Sequence, residues 1–136
     1  MITTGINHDV LKAVKTGLSK KPKQLPGWLF YDDAGDKLFQ SIMQMPGYYL
    51  TACEYEILNQ YKEELNQHFS EGDRPFNLIE FGAGDGVKTE ILLSYFTKTN
   101  VPFRYYPVDI SETILEQLKQ RLQNSVPAAT VTPVHT

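Results

Sequence analysis

The apolar run Phe76-Asn77-Leu78-Ile79-Glu80-Phe81 passes straight into Gly82-Ala83-Gly84-Asp85-Gly86, and a helix-like segment follows from Lys88. No other stretch limits the fold as much. A strand that ends in a glycine turn and feeds a helix brings backbone N–H groups against a nucleotide-type ligand. Glycine is needed there because a Cβ would block close approach or forbid positive φ. Downstream, Tyr105-Tyr106-Pro107-Val108 ends a second apolar run with Asp109. A carboxylate at the end of the second strand can accept hydrogen bonds from both hydroxyls of a ribose. Together the two features point to a nucleoside cofactor, without saying which one.

Each feature also has a plainer reading. The glycines could form a tight βα connection with no ligand, and Asp109 could merely cap the helix after it. Lys88 and Asp109 stand in register with the turn, which favours a ligand. Ser111 is placed to do the capping, leaving the Asp109 carboxylate free.

Around the turn, strand and helix patterns alternate. The spacing predicts a strand over 76–81, a helix over about 88–97, a strand over about 103–108, a helix over about 112–124, and a third strand in the run 129–134. This is the first half of a doubly wound parallel sheet, with three parallel strands. In the order 3-2-1-4-5-6, strand 1 lies beside strand 4, and the sequence stops after strand 3. Strand 1 is therefore expected to be left as an apolar edge. Such an edge is a liability unless covered, and a place where copies could associate. The expectation is a truncated chain, a piece of a longer one.

Before the first strand the pattern is helical. Val10, Leu11, Val14 and Leu18 mark a helix over 8–20, with Asn7 as its cap. Gly27 to Asp33 reads as an aromatic loop. A helix from about Asp33 to Met45 turns Leu38, Phe39, Ile42 and Met43 inward, and Pro46-Gly47 stops it. Thr51-Ala52-Cys53-Glu54 reads as a capping box that opens a helix running to about Phe69. That helix presents Ile57, Leu58, Tyr61 and Leu65 on one face, with Tyr49 as packing and Cys53 as a buried thiol. Residues 70–75 read as a loop. The division is thus an N-terminal helical segment, 1–70, and a partial Rossmann-like domain, 71–136.

Composition excludes several classes. The formal charge of −3 over 136 residues gives no broad case for a nucleic-acid partner. No apolar run approaches the ~20 residues of a membrane-spanning helix, and residues 1–6 lack the features of a signal peptide. One cysteine precludes an intramolecular disulfide and a four-cysteine metal site, and fits a cytoplasmic setting. His8, His68 and His135 have no ligand spacing, so no metal is expected.

The residues also resemble a known family. Phe30-Tyr31-Asp32, Gly35-Asp36-Lys37-Leu38-Phe39, and Met45-Pro46-Gly47-Tyr48-Tyr49-Leu50-Thr51 with Glu54 and Ile57-Leu58 are similar to the N-terminal part of histidine-specific, SAM-dependent Nα-methyltransferases of the ergothioneine pathway. Glu80-Phe81-Gly82-Ala83-Gly84, Lys88-Thr89 and Tyr106-Pro107-Val108-Asp109-Ile110-Ser111 continue the pattern in order. The resemblance implies S-adenosylmethionine (SAM) as cofactor. Gly82 and Gly84 would lie against it, Lys88 would reach its carboxylate from the first turn of a helix, and Asp109 would hold its ribose. Tyr31 and Tyr48 would line the site of a histidine-like amino acid. Read without the family, those two tyrosines fit a core, each with one satisfied hydroxyl, better than a substrate site. The family's Pro-Thr-Arg after the tyrosine pair is Leu50-Thr51-Ala52 here, so the substrate is histidine or a related amino acid. The remaining substrate ligands are expected in a second half, so the chain alone is expected to be weakly active or inactive.

Two other readings remain. A nicotinamide-binding domain would carry Gly-x-Gly-x-x-Gly, and this turn is one residue short. A non-catalytic fragment would act by self-association through the strand edge.

Overall fold

Two crossover helices arrange the second half of the chain into a parallel sheet. The computed structural model describes residues 7–70 and 74–136, so the loop read at 70–75 falls partly outside the described residues. Strand β1 (Phe76–Phe81) pairs in parallel with β2 (Phe103–Asp109), in register from Phe76 opposite Phe103 to Phe81 opposite Val108. The crossover between them is α4 (Glu90–Lys98), and α5 (Glu112–Ser125) follows β2. The third strand forms in two pieces, β3 (Thr130–Val131) and β4 (Val134–His135), both parallel to β2. Pro133 lies at the break, where it has no N–H to donate, while the Thr132 N–H still donates to Tyr105 O at 2.8 Å. The order is β1-β2-β3, with β4 also on β2. This is the expected half of a doubly wound sheet.

Among the described residues no strand covers the outer edge of β1. On one face of β1, Ile79 is 57% and Phe81 82% exposed.

The core lies between the sheet and α4 and α5. Leu93, Phe96, Tyr105, Leu118 and Leu122 are fully buried there. Their spacing in sequence produces this. Leu92, Leu93 and Phe96 fall on one face of α4, and Ile114, Leu115, Leu118 and Leu122 on one face of α5. Phe69, Phe76, Phe96 and Phe103 meet ring to ring at 5.5–6.2 Å, which fastens the end of the long helix α3 (Tyr49–Phe69) to the sheet.

The preceding helices are α1 (His8–Leu18) and α2 (Asp33–Met43), with a short 3-10 turn (Gly27–Phe30) between them. Asn7 caps α1 as expected, accepting from the Asp9 and Val10 N–H groups, and Asp32 caps α2. Three expectations here fail. Helix α3 starts at Tyr49, so Thr51 and Glu54 lie inside its first turns and form no capping box; Tyr48 holds the cap position without a side-chain hydrogen bond. Cys53 is exposed, not buried. Tyr49, read as packing, is also exposed, as are Leu38, Phe39, Ile57 and Tyr61. The apolar faces of α2 and α3 are thus only partly covered among the described residues, with Ile42, Met43, Leu58 and Leu65 half-buried. No helix among those residues is long and apolar enough to cross a membrane.

Candidate functional site

The glycine turn is fastened from below. Glu80, the next-to-last residue of β1, points its carboxylate under the turn. Thr89 Oγ1, just past the turn, lies 2.7 Å from both Glu80 oxygens. The phenol of Tyr105 on β2 donates to Glu80 Oε2. One carboxylate therefore ties the entry of the turn, its exit and the neighbouring strand together. Burial, then the Glu80 charge and the hydrogen bond to it, push the Tyr105 phenol well above the usual tyrosine range. The sign of the linkage follows. The neutral phenol is favoured in the folded chain, whereas an unfolded tyrosine ionises near ~10. This contribution is complete below that pH and is lost as pH rises toward the folded value. Urea midpoints from pH 9 to 11 are expected to fall more steeply for the unmodified chain than for Tyr105→Phe; parallel curves would refute this.

Above the fastening, the backbone is left-handed at Gly82, Gly84 and Gly86, with φ of 67°, 56° and 64°. The three differ in surroundings. A Cβ on Gly86 would come 2.7 Å from Leu118 Cδ1, so that glycine serves the packing of α5. A Cβ on Gly82 or Gly84 would meet nothing within 4 Å. Those two face open space, and the left-handed backbone excludes most other residues.

That space is a cavity of about 780 Å³, lined by Gly82, Gly84 and Asp109 on the sheet side and by Tyr31, Asp36 and Phe39 on the helical side. Phe30, Leu38, Ile42, Val108 and Ile114 make most of the remaining wall apolar, and among the described residues no Lys, Arg or His lines it. The apolar face of α2 read from the sequence is this wall, which explains why Leu38 and Phe39 are uncovered.

Asp109 is not left free by Ser111. Its Oδ2 accepts from the Gly84 N–H at 2.9 Å and its Oδ1 from the Ser111 N–H at 3.0 Å. Ser111 does cap α5, accepting from the Ile114 N–H at 3.2 Å. Each carboxylate oxygen keeps further acceptor capacity for hydroxyls. Asp109 is thus aimed by two backbone amides, one of them in the glycine turn.

The other expected site residues scatter. Tyr31 lines the cavity and is 63% exposed. Tyr48 does not line it; its ring stands edge-on to Phe39 at 6.3 Å, one side chain behind the wall. Lys88 lies elsewhere. It is not in the first turn of α4, because Thr89 holds the cap position there. Its Nζ is paired with Glu54 Oε2 of α3 at 2.6 Å, in a separate groove between α3 and β1. Sequence reading did not find Asp36, whose carboxylate accepts from Ser111 Oγ at 2.7 Å. Nor did it find the Glu80–Thr89–Tyr105 fastening. No periodicity marks either one.

The residues present suit a nucleoside cofactor. Two glycines leave a cradle that a side chain would fill, and a carboxylate stands at the end of the adjacent strand.

Comparison with known proteins agrees. Residues 10–136 match the family described as histidine-specific methyltransferase, SAM-dependent. The chain is 38% identical over 110 residues to N-methyltransferase dtpB of Aspergillus flavus, covering 81% of this chain and 30% of that protein. It is 34% identical over 110 residues to the histidine N-alpha-methyltransferase of Mycobacterium tuberculosis, covering 81% and 33%. It is 34% identical over 107 residues to ergothioneine biosynthesis protein 1 of Schizosaccharomyces pombe, covering 79% and 14%. The chain therefore spans about a third or less of the length of these curated relatives. Among solved structures, the CMeT domain of the citrinin polyketide synthase superposes with a TM-score of 0.55 at 19% identity, over 79% of this chain and 28% of that one. At that identity the likeness speaks for the fold alone.

Proposed function

From the premise that this chain belongs to the histidine-specific, SAM-dependent methyltransferase family, we propose that it serves methyl transfer to the α-amine of histidine or a related amino acid. The family uses S-adenosylmethionine, which sets the nicotinamide reading aside. The observation that supports the reading most is the open cradle at Gly82 and Gly84 beside an Asp109 already aimed by two amides.

When bound, S-adenosylmethionine supplies a methyl group activated by a sulfonium. The chain's own work is then orientation and exclusion of water. Gly82 and Gly84 admit the cofactor close to the backbone. Asp109 receives the ribose hydroxyls on the acceptor capacity left by its two amide bonds. The family resemblance would assign Lys88 to the cofactor carboxylate; here it lies outside this cavity, paired with Glu54 at 2.6 Å, and would have to leave that half-exposed partner to do so, at a cost of about 1 kcal/mol or less. Tyr31 and the α2 wall form the substrate side, and Tyr48 backs that wall through Phe39. We assign the substrate side to residues 1–70 and the cofactor side to 71–136. The partner is a small amino acid, with no nucleic acid or membrane, and the setting is cytoplasmic. The bare edge of β1 supports a second reading, self-association, which light scattering over a concentration series measures directly.

The test is calorimetric titration of S-adenosylhomocysteine into the chain, with Asp109→Ala and Lys88→Met beside it, followed by mass spectrometry of histidine incubated with S-adenosylmethionine. Saturable binding that is lost in Asp109→Ala is expected. A folded chain that binds no S-adenosylhomocysteine would sink the cofactor assignment.

A further inference from the structure

We propose that Asp36 is a positioning residue for cofactor binding, acting on Asp109 through Ser111. The inference rests on the reading of the cavity as the S-adenosylmethionine site. Ser111 stands between two carboxylates. Its N–H donates to Asp109 Oδ1 at 3.0 Å, and its hydroxyl donates to Asp36 Oδ2 at 2.7 Å. The same oxygen accepts from the Ile114 N–H at 3.2 Å. The hydroxyl's only proton is committed to Asp36 and one lone pair to α5, so the residue is held from both sides. With Ser111 held, the N–H it aims at Asp109 is held too. Gly84 fixes the other Asp109 oxygen at 2.9 Å. The ribose-binding orientation of Asp109 thus depends on a carboxylate that lies 75 residues before Ser111.

Asp36 is itself placed with little freedom. Its N–H donates to Asp32 O at 2.9 Å, and the Asp32 carboxylate accepts from the Gly35 N–H at 2.7 Å. Gly35 lets α2 approach the preceding turn closely, since a Cβ there would fall 1.7 Å from Phe30 O. Helix α2 also carries Leu38, Phe39 and Ile42 of the cavity wall. One helix therefore builds the substrate side and steadies the cofactor-binding carboxylate.

The experiment is S-adenosylhomocysteine affinity, by calorimetry, for Asp36→Ala, Asp36→Asn, Ser111→Ala, Ser111→Thr and the Asp36→Ala/Ser111→Ala double variant. Asp36→Asn keeps an acceptor oxygen, and Ser111→Thr keeps the hydroxyl. Asp36→Ala and Ser111→Ala are each expected to weaken binding by about tenfold, as for one net hydrogen bond. The double variant should be no weaker than either single one, and the two conservative variants should stay within about threefold of the unmodified chain. Unchanged affinity in Asp36→Ala overturns the proposal. So does an additive loss in the double variant, which would mean that Asp36 touches the ligand on its own. If Asp36→Ala does not fold, the two Ser111 variants decide, and equal affinities overturn the proposal. An unmodified chain that binds no S-adenosylhomocysteine overturns both this and the reading beneath it, whereas binding that no variant disturbs overturns this alone.

Discussion

Gly84→Val is expected to reduce S-adenosylhomocysteine affinity by more than about a hundredfold, a loss of roughly 3 kcal/mol. Two effects add. At φ 56° an L-residue is strained by about 1–2 kcal/mol, and a β-branched one by more. The side chain would also stand in the cavity, because the space beyond the Gly84 Cα is open. Gly84→Ala separates the two. Its methyl meets no protein atom within 4 Å, so it carries strain and little obstruction. Its loss in affinity should be clearly smaller than that of the valine variant. Equal losses would place the effect in the backbone and not in a ligand lying against the turn.

The second large effect is on stability. Glu80→Ala removes the acceptor of two hydroxyls at once, that of Tyr105, which is fully buried, and that of Thr89, which is nearly so. Each buried donor left without a partner costs about 1–3 kcal/mol, so a loss of roughly 2–6 kcal/mol is expected by urea unfolding. Tyr105→Phe removes a donor and keeps the Thr89 bond, and should cost about 1 kcal/mol. A Glu80→Ala loss no greater than that of Tyr105→Phe would show that the carboxylate does not fasten the turn.

Much of the sheet half could be read from residue order. An apolar run that stops at a glycine turn marked β1, and helical spacing marked α4 and α5 with Ser111 as a cap. The alternation of strand and helix and the doubly wound strand order then predicted the sheet. The failures share a cause. Thr51 and Glu54 have capping-box spacing, but Glu54 pairs instead with Lys88, 34 residues away, while the helix winds back to Tyr49. Asp109 looked free because local capping by Ser111 was visible and the Gly84 amide, 25 residues away, was not. Leu38 and Phe39 were legible as an apolar face, but periodicity does not tell a core from a cavity wall. Windowed patterns report neighbours along the chain, and this site is made by contacts across it.

The span of each fastening also sets an order of assembly. The bond that closes the floor of the glycine turn joins residues nine apart, and the bond from α2 to Ser111 joins residues 75 apart. Closing the longer loop costs about 2 kcal/mol more chain entropy, with one side-chain hydrogen bond at the junction among the described residues. The Glu80–Thr89 bond needs only β1 and the start of α4, the Tyr105 bond also needs β2, and α2 is expected to dock after them. By the same balance α2 undocks first, an opening visible as faster amide hydrogen exchange in α2 than in α4. Local undocking of one helix would therefore give ligands a way into the cleft while the sheet beneath it stays folded.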